Sequence, residues 1–291
     1  MNRAQRHHLN VAALSHAGMV GKNNEDRYAV SSYTTDENKL VVFAIVSDGI
    51  GGHRAGEVAA ELAVNYIIEK ISESNGRNPL EIMENAIHTA SQVIASRSAS
   101  KADQQGMGAT CACVWVETDK LYTAYVGDSR IYMVRDGKIH RLTVDHTWVQ
   151  EALEKGIILP EQARDHPNVH VIRRHLGSVE LPQVDFRLRL TNEDDNETAE
   201  KNQGTQMLPG DIVLMCSDGL TDLVWDDEIL RVITTRNSLK SAAEDLVAQA
   251  NERGGHDNIT VVLIGIPKEG IPEPQLQTQK KKGFLDGLFG E

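Results

Sequence analysis

One apolar run that closes on an acid inside a glycine cluster constrains this chain more than anything else: Leu40-Val41-Val42-Phe43-Ala44-Ile45-Val46-Ser47-Asp48-Gly49-Ile50-Gly51-Gly52-His53. The run Leu40–Val46 reads as a strand buried on both faces. Such a strand normally finishes in a neutral turn, so a carboxylate delivered there has no ordinary structural reason. The pattern recurs. Val213-Leu214-Met215-Cys216 closes on Ser217-Asp218-Gly219, and Asp257, in Gly255-His256-Asp257-Asn258, abuts the apolar run Ile259–Ile266. Acids at the ends of three core strands fit a site for a hard cation.

Composition narrows what such a site can serve. The 291 residues fit one large domain or two small ones, and 40% apolar with 25% charged residues is ordinary for a soluble globular protein. Aromatics are only 4%, so the core is aliphatic. A net charge of −12 argues against nucleic-acid binding. It also means that an anionic substrate needs cations at the site, which clustered aspartates recruit. Cys111, Cys113 and Cys216 make no disulfide framework; Cys111 and Cys113 alternate within an apolar strand and point to one face. The chain reads as cytoplasmic, with no transmembrane run and, in Met1–Asn10, no apolar signal-peptide core.

Strands are expected at Val11–Ser15, Tyr28–Ser32, Leu40–Val46, Thr110–Glu117, Leu121–Val126, Ile131–Arg135, Lys138–Leu142, Val184–Leu190, Asp211–Cys216 and Ile259–Ile266. Amphipathic spacing predicts helices over Glu57–Ser72 and Pro79–Arg97, the latter with Pro79 in its first turn. Further helices are expected at Thr147–Lys155, Asp227–Thr235 and Leu239–Arg253. Antiparallel runs with helices grouped in pairs give an α+β fold, a sandwich of two antiparallel sheets covered by helices. Residues 1–10 read as a polar, solvated arm that includes His7 and His8, and 11–267 as the folded domain. The acidic segment Thr191–Met207 reads as a flexible surface insertion. Residues 268–291 read as a disordered tail. Its segment Lys280–Phe289 has an alternative reading as a basic-apolar docking peptide for a partner groove or an anionic membrane surface.

Five pieces then occur in order: Gly18-Met19-Val20-Gly21-Lys22-Asn23-Asn24-Glu25-Asp26, Asp48-Gly49-Ile50-Gly51-Gly52-His53, Gly127-Asp128-Ser129-Arg130, Ser217-Asp218-Gly219 and Asp257-Asn258. Met107-Gly108-Ala109-Thr110, Asp145-His146-Thr147-Trp148 and Leu208-Pro209-Gly210-Asp211 support them. The set resembles the metal-dependent protein Ser/Thr phosphatases of the 2C (PPM) family, in the bacterial style, over about Val11–Ile266. The resemblance implies a four-layer α-β-β-α sandwich with two Mn²⁺ or Mg²⁺ ions at one edge. It makes Asp48 the bridging ligand and the Gly49 carbonyl a ligand of one ion. Asp218 and Asp257 serve the other ion, and Asp26 lies in or next to the ligand set. It also implies a third, weaker ion at Asp128, although a tight turn alone would explain Gly127-Asp128. His53 becomes the candidate general acid for the leaving oxygen, since imidazole titrates in the useful range. His146 and His256 are expected to be structural. Paired hard cations can generate the hydroxide for in-line attack on phosphorus, and glycines beside Asp48 let the backbone close around an ion.

One departure stands out. The family commonly has a phosphate-gripping arginine at the position of Gly21, so either Lys22, a point charge where arginine is a fork, substitutes loosely or the metals alone hold the substrate phosphate. The segment Asp145–Gly177 matches the family's mobile flap beside the active site. The resemblance further implies phosphoprotein substrates, an opposing Ser/Thr kinase and a monomer. Two other readings stay open: a pseudophosphatase that binds without turnover, and a hydrolase of some other phosphoester.

Overall fold

Strand Cys111–Glu117 is apolar at nearly every position because it lies between two cores. Cys111, Cys113 and Trp115 pack into one, while Ala112, Val114 and Val116 pack into the other. The period of two along a strand makes this division unavoidable once both faces are covered. Both cysteines therefore share a face, as expected.

The computed structural model describes residues 1–51 and 55–271; His53 and the tail segment Lys280–Phe289 lie outside them. In chain order the elements begin with β1 (Asn2–Arg3), β2 (Asn10–His16), β3 (Arg27–Thr34), β4 (Leu40–Ser47) and β5 (Gly49–Ile50), then α1 (Ala55–Glu73) and α2 (Pro79–Ser100). Next come β6 (Gly108–Ala109), β7 (Cys111–Glu117), β8 (Lys120–Val126), β9 (Arg130–Arg135) and β10 (Lys138–Arg141). Then come α3 (Trp148–Glu154), α4 (Asn196–Lys201), β11 (Thr205–Gln206) and β12 (Ile212–Cys216). The described domain closes with α5 (Asp218–Thr221), α6 (Asp226–Thr235), α7 (Leu239–Glu252) and β13 (Ile259–Gly265).

Two large antiparallel sheets form, ordered β1-β3-β4-β7-β8-β11 and β10-β9-β12-β13-β2, and β5 pairs with β6 in a third, two-stranded one. Val42, Val114, Met133, Val213 and Val262 fill the space between them. Helices α1 and α2 cover the first sheet, with Ile67, Ile87 and Ile94 packed among Phe43, Ile45 and Trp115. Helices α6 and α7 cover the second, bringing Ile233, Leu246 and Val247 against Leu214, Val261 and Leu263. This is the four-layer α-β-β-α sandwich. No helix among the described residues is long and apolar enough to cross a membrane.

Three sequence expectations need correction. Val184–Leu190 is not a strand; only Asp185 pairs with β8, exchanging 3.0 Å hydrogen bonds with Tyr125. The backbone groups such a strand would need are taken, since Thr123 N donates to Gln203 Oε1 and Gln203 Nε2 to Thr123 O, each at 2.9 Å. The acidic segment Thr191–Met207 is ordered rather than flexible: it contains α4 and β11, and buries Ala199 and Met207. Its acids act as caps, with Asp195 accepting from Thr198 N at 2.8 Å and Asp194 from Leu190 N at 2.8 Å. The N-terminal arm is largely exposed but also tied to the domain. β1 extends the first sheet, Leu9 is buried, and the Met1 ammonium donates to the Ser72 carbonyl at 3.0 Å, at the end of α1.

Candidate metal centre

Asp48 is held where β4 ends by a reciprocal grip. Its N–H donates to Thr110 Oγ1 at 2.9 Å, and Thr110 N donates to the Asp48 carbonyl at 2.8 Å. Ser47 Oγ adds a bond to the Thr110 carbonyl at 2.7 Å. Gly49 has no room for a side chain, because the carbonyl of Gly56 at the start of α1 occupies the place of a Cβ. Close approach of that helix is thus a sufficient reason for this glycine.

Asp26 precedes β3 and is 2% exposed. Its Oδ2 accepts from Ser217 Oγ at 2.7 Å, whereas Oδ1 has no partner. Asp218 opens α5, directly after β12, and its Oδ1 is likewise buried and unpartnered. Asp257 precedes β13 and is half exposed, with Lys22 Nζ 3.7 Å from its Oδ1. Next to it, buried Asn258 sews the Gly18–Asp26 loop to β13. It accepts from Glu25 N at 2.7 Å and donates to the carbonyls of Ala17 and Asn23 at 3.1 and 3.0 Å. Asp128 is buried in the β8–β9 turn.

These acids feel one another. Burial raises the pKa of Asp26 to about 7, hydroxyls of Thr260 and Ser217 oppose the rise, and the charges of Asp218 and Asp257 add to it. Burial, then Asp26, Asp218 and Asp128, push Asp48 well above the carboxylate range. Burial, then Asp218 and Asp145, do the same to Asp128. Buried carboxylates that repel one another and leave oxygens unbonded are costly unless something positive joins them. The donor set is all oxygen, which suits Mg²⁺ or Mn²⁺.

A further trio was not legible in the sequence. Donor atoms of His170, Asp218 and Asp222 lie within 4.8 Å of one another, and the other acids named above form no such trio among the described residues. His170 Nδ1 is 3.8 Å from Asp218 Oδ2 and 3.7 Å from Asp222 Oδ2, and these carboxylates raise its pKa to about 9. Asp222 follows Asp218 by one helical turn, so the spacing alone could have flagged it. His170 has no local signal; the Asp145–Gly177 segment carries it across. Arg164 of the same segment donates to the carbonyls of Thr221 and Asp222 at 3.1 and 2.7 Å, with its guanidinium 3.5 Å from the Trp225 ring centroid.

His146 has the structural place expected of it. Its Nδ1 accepts from Gly127 N at 3.0 Å, which puts the proton of the neutral ring on Nε2, 3.0 Å from Asp185 Oδ2. Gly21 has φ of 73°, and nothing lies within 4 Å of a Cβ built there. A groove of about 740 Å³, lined by Glu81, Glu154, Arg174, Asp185, Arg187 and others, includes none of the candidate metal acids.

A sandwich with acids gathered where its strands end defines a class, the hydrolases that hold divalent cations on carboxylates. The model of the family "Protein phosphatase 2C" matches residues 15–259. The protein phosphatase PhpP of Streptococcus pneumoniae is 33% identical over 272 residues, covering 90% of this chain and 99% of PhpP. The serine/threonine phosphatase stp of Listeria monocytogenes is 33% identical over 254 residues, covering 85% of this chain and 92% of stp. The Streptococcus agalactiae serine/threonine phosphatase superposes with a TM-score of 0.76 at 30% identity, over 88% of this chain and 99% of that one. The catalytic domain of PstP, solved in complex with 2 manganese ions, gives 0.72 at 31% identity, over 88% of this chain and 97% of that one. The chain belongs to the protein phosphatase 2C family.

Proposed function

We propose that the chain is a metal-dependent protein phosphatase that removes phosphate from phosphoserine and phosphothreonine. The observation that carries this reading is the set of mutually repelling aspartates, Asp26 buried and Asp48 and Asp218 part-buried, in which Asp26 Oδ1 and Asp218 Oδ1 lack partners. Asp48, the Gly49 carbonyl, Asp218 and Asp257 would hold two divalent ions there. Asp26 supports or joins this set. When bound, the ions supply a water nucleophile at neutral pH and offset the charge of the phosphate.

The remaining work falls to the chain. Thr110, Ser217 and Asn258 fix the strand ends, which limits the reorganisation left for the carboxylates when they receive ions. Lys22, beside Asp257, brings positive charge to the edge where a phosphate would lie. His53, outside the described residues, is assigned the proton donated to the leaving serine or threonine oxygen. The Asp145–Gly177 segment, leaning on α5 through Arg164, borders the substrate's approach. A third ion at Asp128, a cytoplasmic monomer opposing a Ser/Thr kinase, and a docking role for Lys280–Phe289 complete the proposal.

Substrate class is tested by giving Mn²⁺-loaded enzyme a phosphothreonine peptide and a nucleoside triphosphate side by side, with Asp218→Ala as control. Faster phosphate release from the peptide, lost in Asp218→Ala, supports the reading. Preference for the nucleotide would overturn it.

A further inference from the structure

The N-terminal segment folds back over the edge of β3 and borders an open pocket of about 370 Å³, lined among others by Arg3, Arg6, His7, Val30, Ser31 and Ser32. No carboxylate contributes to its wall. Ala4 N donates to the Ser32 carbonyl at 2.8 Å, and His7 Nδ1 is 2.6 Å from Ser32 Oγ. Both ends of the short turn are thereby tied to one residue of β3, which holds the basic side chains around the opening.

No other residue of the lining neutralises their charge. In a chain of net charge −12, arginines such as Arg27, Arg130 and Arg187 are ion-paired, with Glu57, Asp145 and Asp185 respectively. Arg3 and Arg6 make neither an ion pair nor a side-chain hydrogen bond among the described residues, and His7 Nε2 is also without a partner there. Guanidinium forks match the geometry of a tetrahedral oxyanion. We propose that this pocket binds a phosphoryl oxyanion through Arg3 and Arg6.

Its place on the fold suggests the source. β3 begins directly after Asp26, and strand rise puts Ser31 and Ser32 about 17–20 Å from that carboxylate. β1 pairs only with Tyr33 and Thr34, so among the described residues the outer edge of β3 between Arg27 and Ser31 has no strand partner. An extended polypeptide along that edge needs about five or six residues to bridge the two points. A second phosphoryl group on the protein substrate satisfies this spacing; inorganic phosphate is the other source of the same chemistry. The peptide version rests on the phosphatase reading.

The test uses full-chain, Mn²⁺-loaded enzyme and two phosphothreonine peptides. One carries a non-hydrolysable phosphonate analogue of phosphoserine six residues away, the other alanine. The phosphonate peptide should show kcat/KM about fivefold higher, through a lower KM. The double variant Arg3→Gln/Arg6→Gln should abolish the difference while hydrolysis of p-nitrophenyl phosphate stays unchanged. In a second arm, inorganic phosphate is titrated while the His7 ring resonances are followed by NMR. A saturable shift in the wild type only, with equal rates on the two peptides, supports the pocket and identifies free phosphate as its ligand. Equal kcat/KM on both peptides with no saturable shift overturns the proposal, as does a peptide preference that survives in the double variant. Failure to hydrolyse p-nitrophenyl phosphate would count against the phosphatase reading alone, because the NMR arm needs no turnover.

Discussion

Ser217 Oγ donates to Asp26 Oδ2 at 2.7 Å and accepts from Thr260 N at 2.9 Å, so one hydroxyl ties together the chain before β3, the end of β12 and the start of β13. Ser217→Ala leaves a buried N–H and a carboxylate oxygen unbonded. The expected cost is about 1–3 kcal/mol of stability, with weaker Mn²⁺ binding as Asp26 loses its orientation. Urea unfolding and calorimetric Mn²⁺ titration check this. Unchanged values in both would show that the hydroxyl does not organise the site.

Arg164 fastens the Asp145–Gly177 segment to α5 through two carbonyls and the face of Trp225. Arg164→Ala should cost about 1–3 kcal/mol in stability. Its larger effect should be on kcat/KM for a phosphoprotein, with p-nitrophenyl phosphate nearly spared, since the small ester needs no bordering segment. A loss of equal size on both substrates would place Arg164 in general stability instead.

Gly21→Arg restores a fork at an open position, but φ of 73° there is left-handed. A side chain in that region costs about 1–2 kcal/mol. The variant should therefore bind p-nitrophenyl phosphate with a lower KM while melting at a lower temperature. A raised KM would mean that the arginine does not reach the phosphate.

Asp185 sets an acid limit on stability. Burial alone would raise its pKa, but hydrogen bonds from His146 and Arg187 win and hold it well below the usual carboxylate range. A group whose folded pKa is depressed contributes stability above its unfolded pKa, about 3.9, and loses it as pH falls further. The wild type should lose stability steeply below about pH 4, and Asp185→Asn should start less stable with a shallower acid limb. Urea midpoints from pH 3 to 7 measure both slopes; parallel curves would contradict this.

The sequence disclosed the layers and the acids because both rest on local pattern. Leu40–Val46 and Val213–Cys216 are apolar without interruption, and an acid at the end of such a run has few purely structural uses. What it hid depends on contacts between distant residues. Val184–Leu190 has strand-like composition, but Gln203 occupies Thr123, and the segment's own backbone bonds Ala199, Leu142, Asp194 and Asn202 instead of the sheet. His170 joins Asp218 and Asp222 from a segment with no periodicity, so nothing near it in sequence marks its role. The Thr191–Met207 acids looked like solvated charge, yet capping of α4 and local turns gives them specific partners.

The central claim is that aspartates at the strand ends hold the ions that drive phosphate release. It is tested most directly by measuring phosphate release from a phosphothreonine peptide while Mn²⁺ is titrated into metal-stripped wild type and Asp48→Asn. The account predicts no turnover in chelator, saturable turnover with Mn²⁺, and a loss of about 100-fold or more in Asp48→Asn. Turnover in chelator, or a variant as active as the wild type, would contradict it.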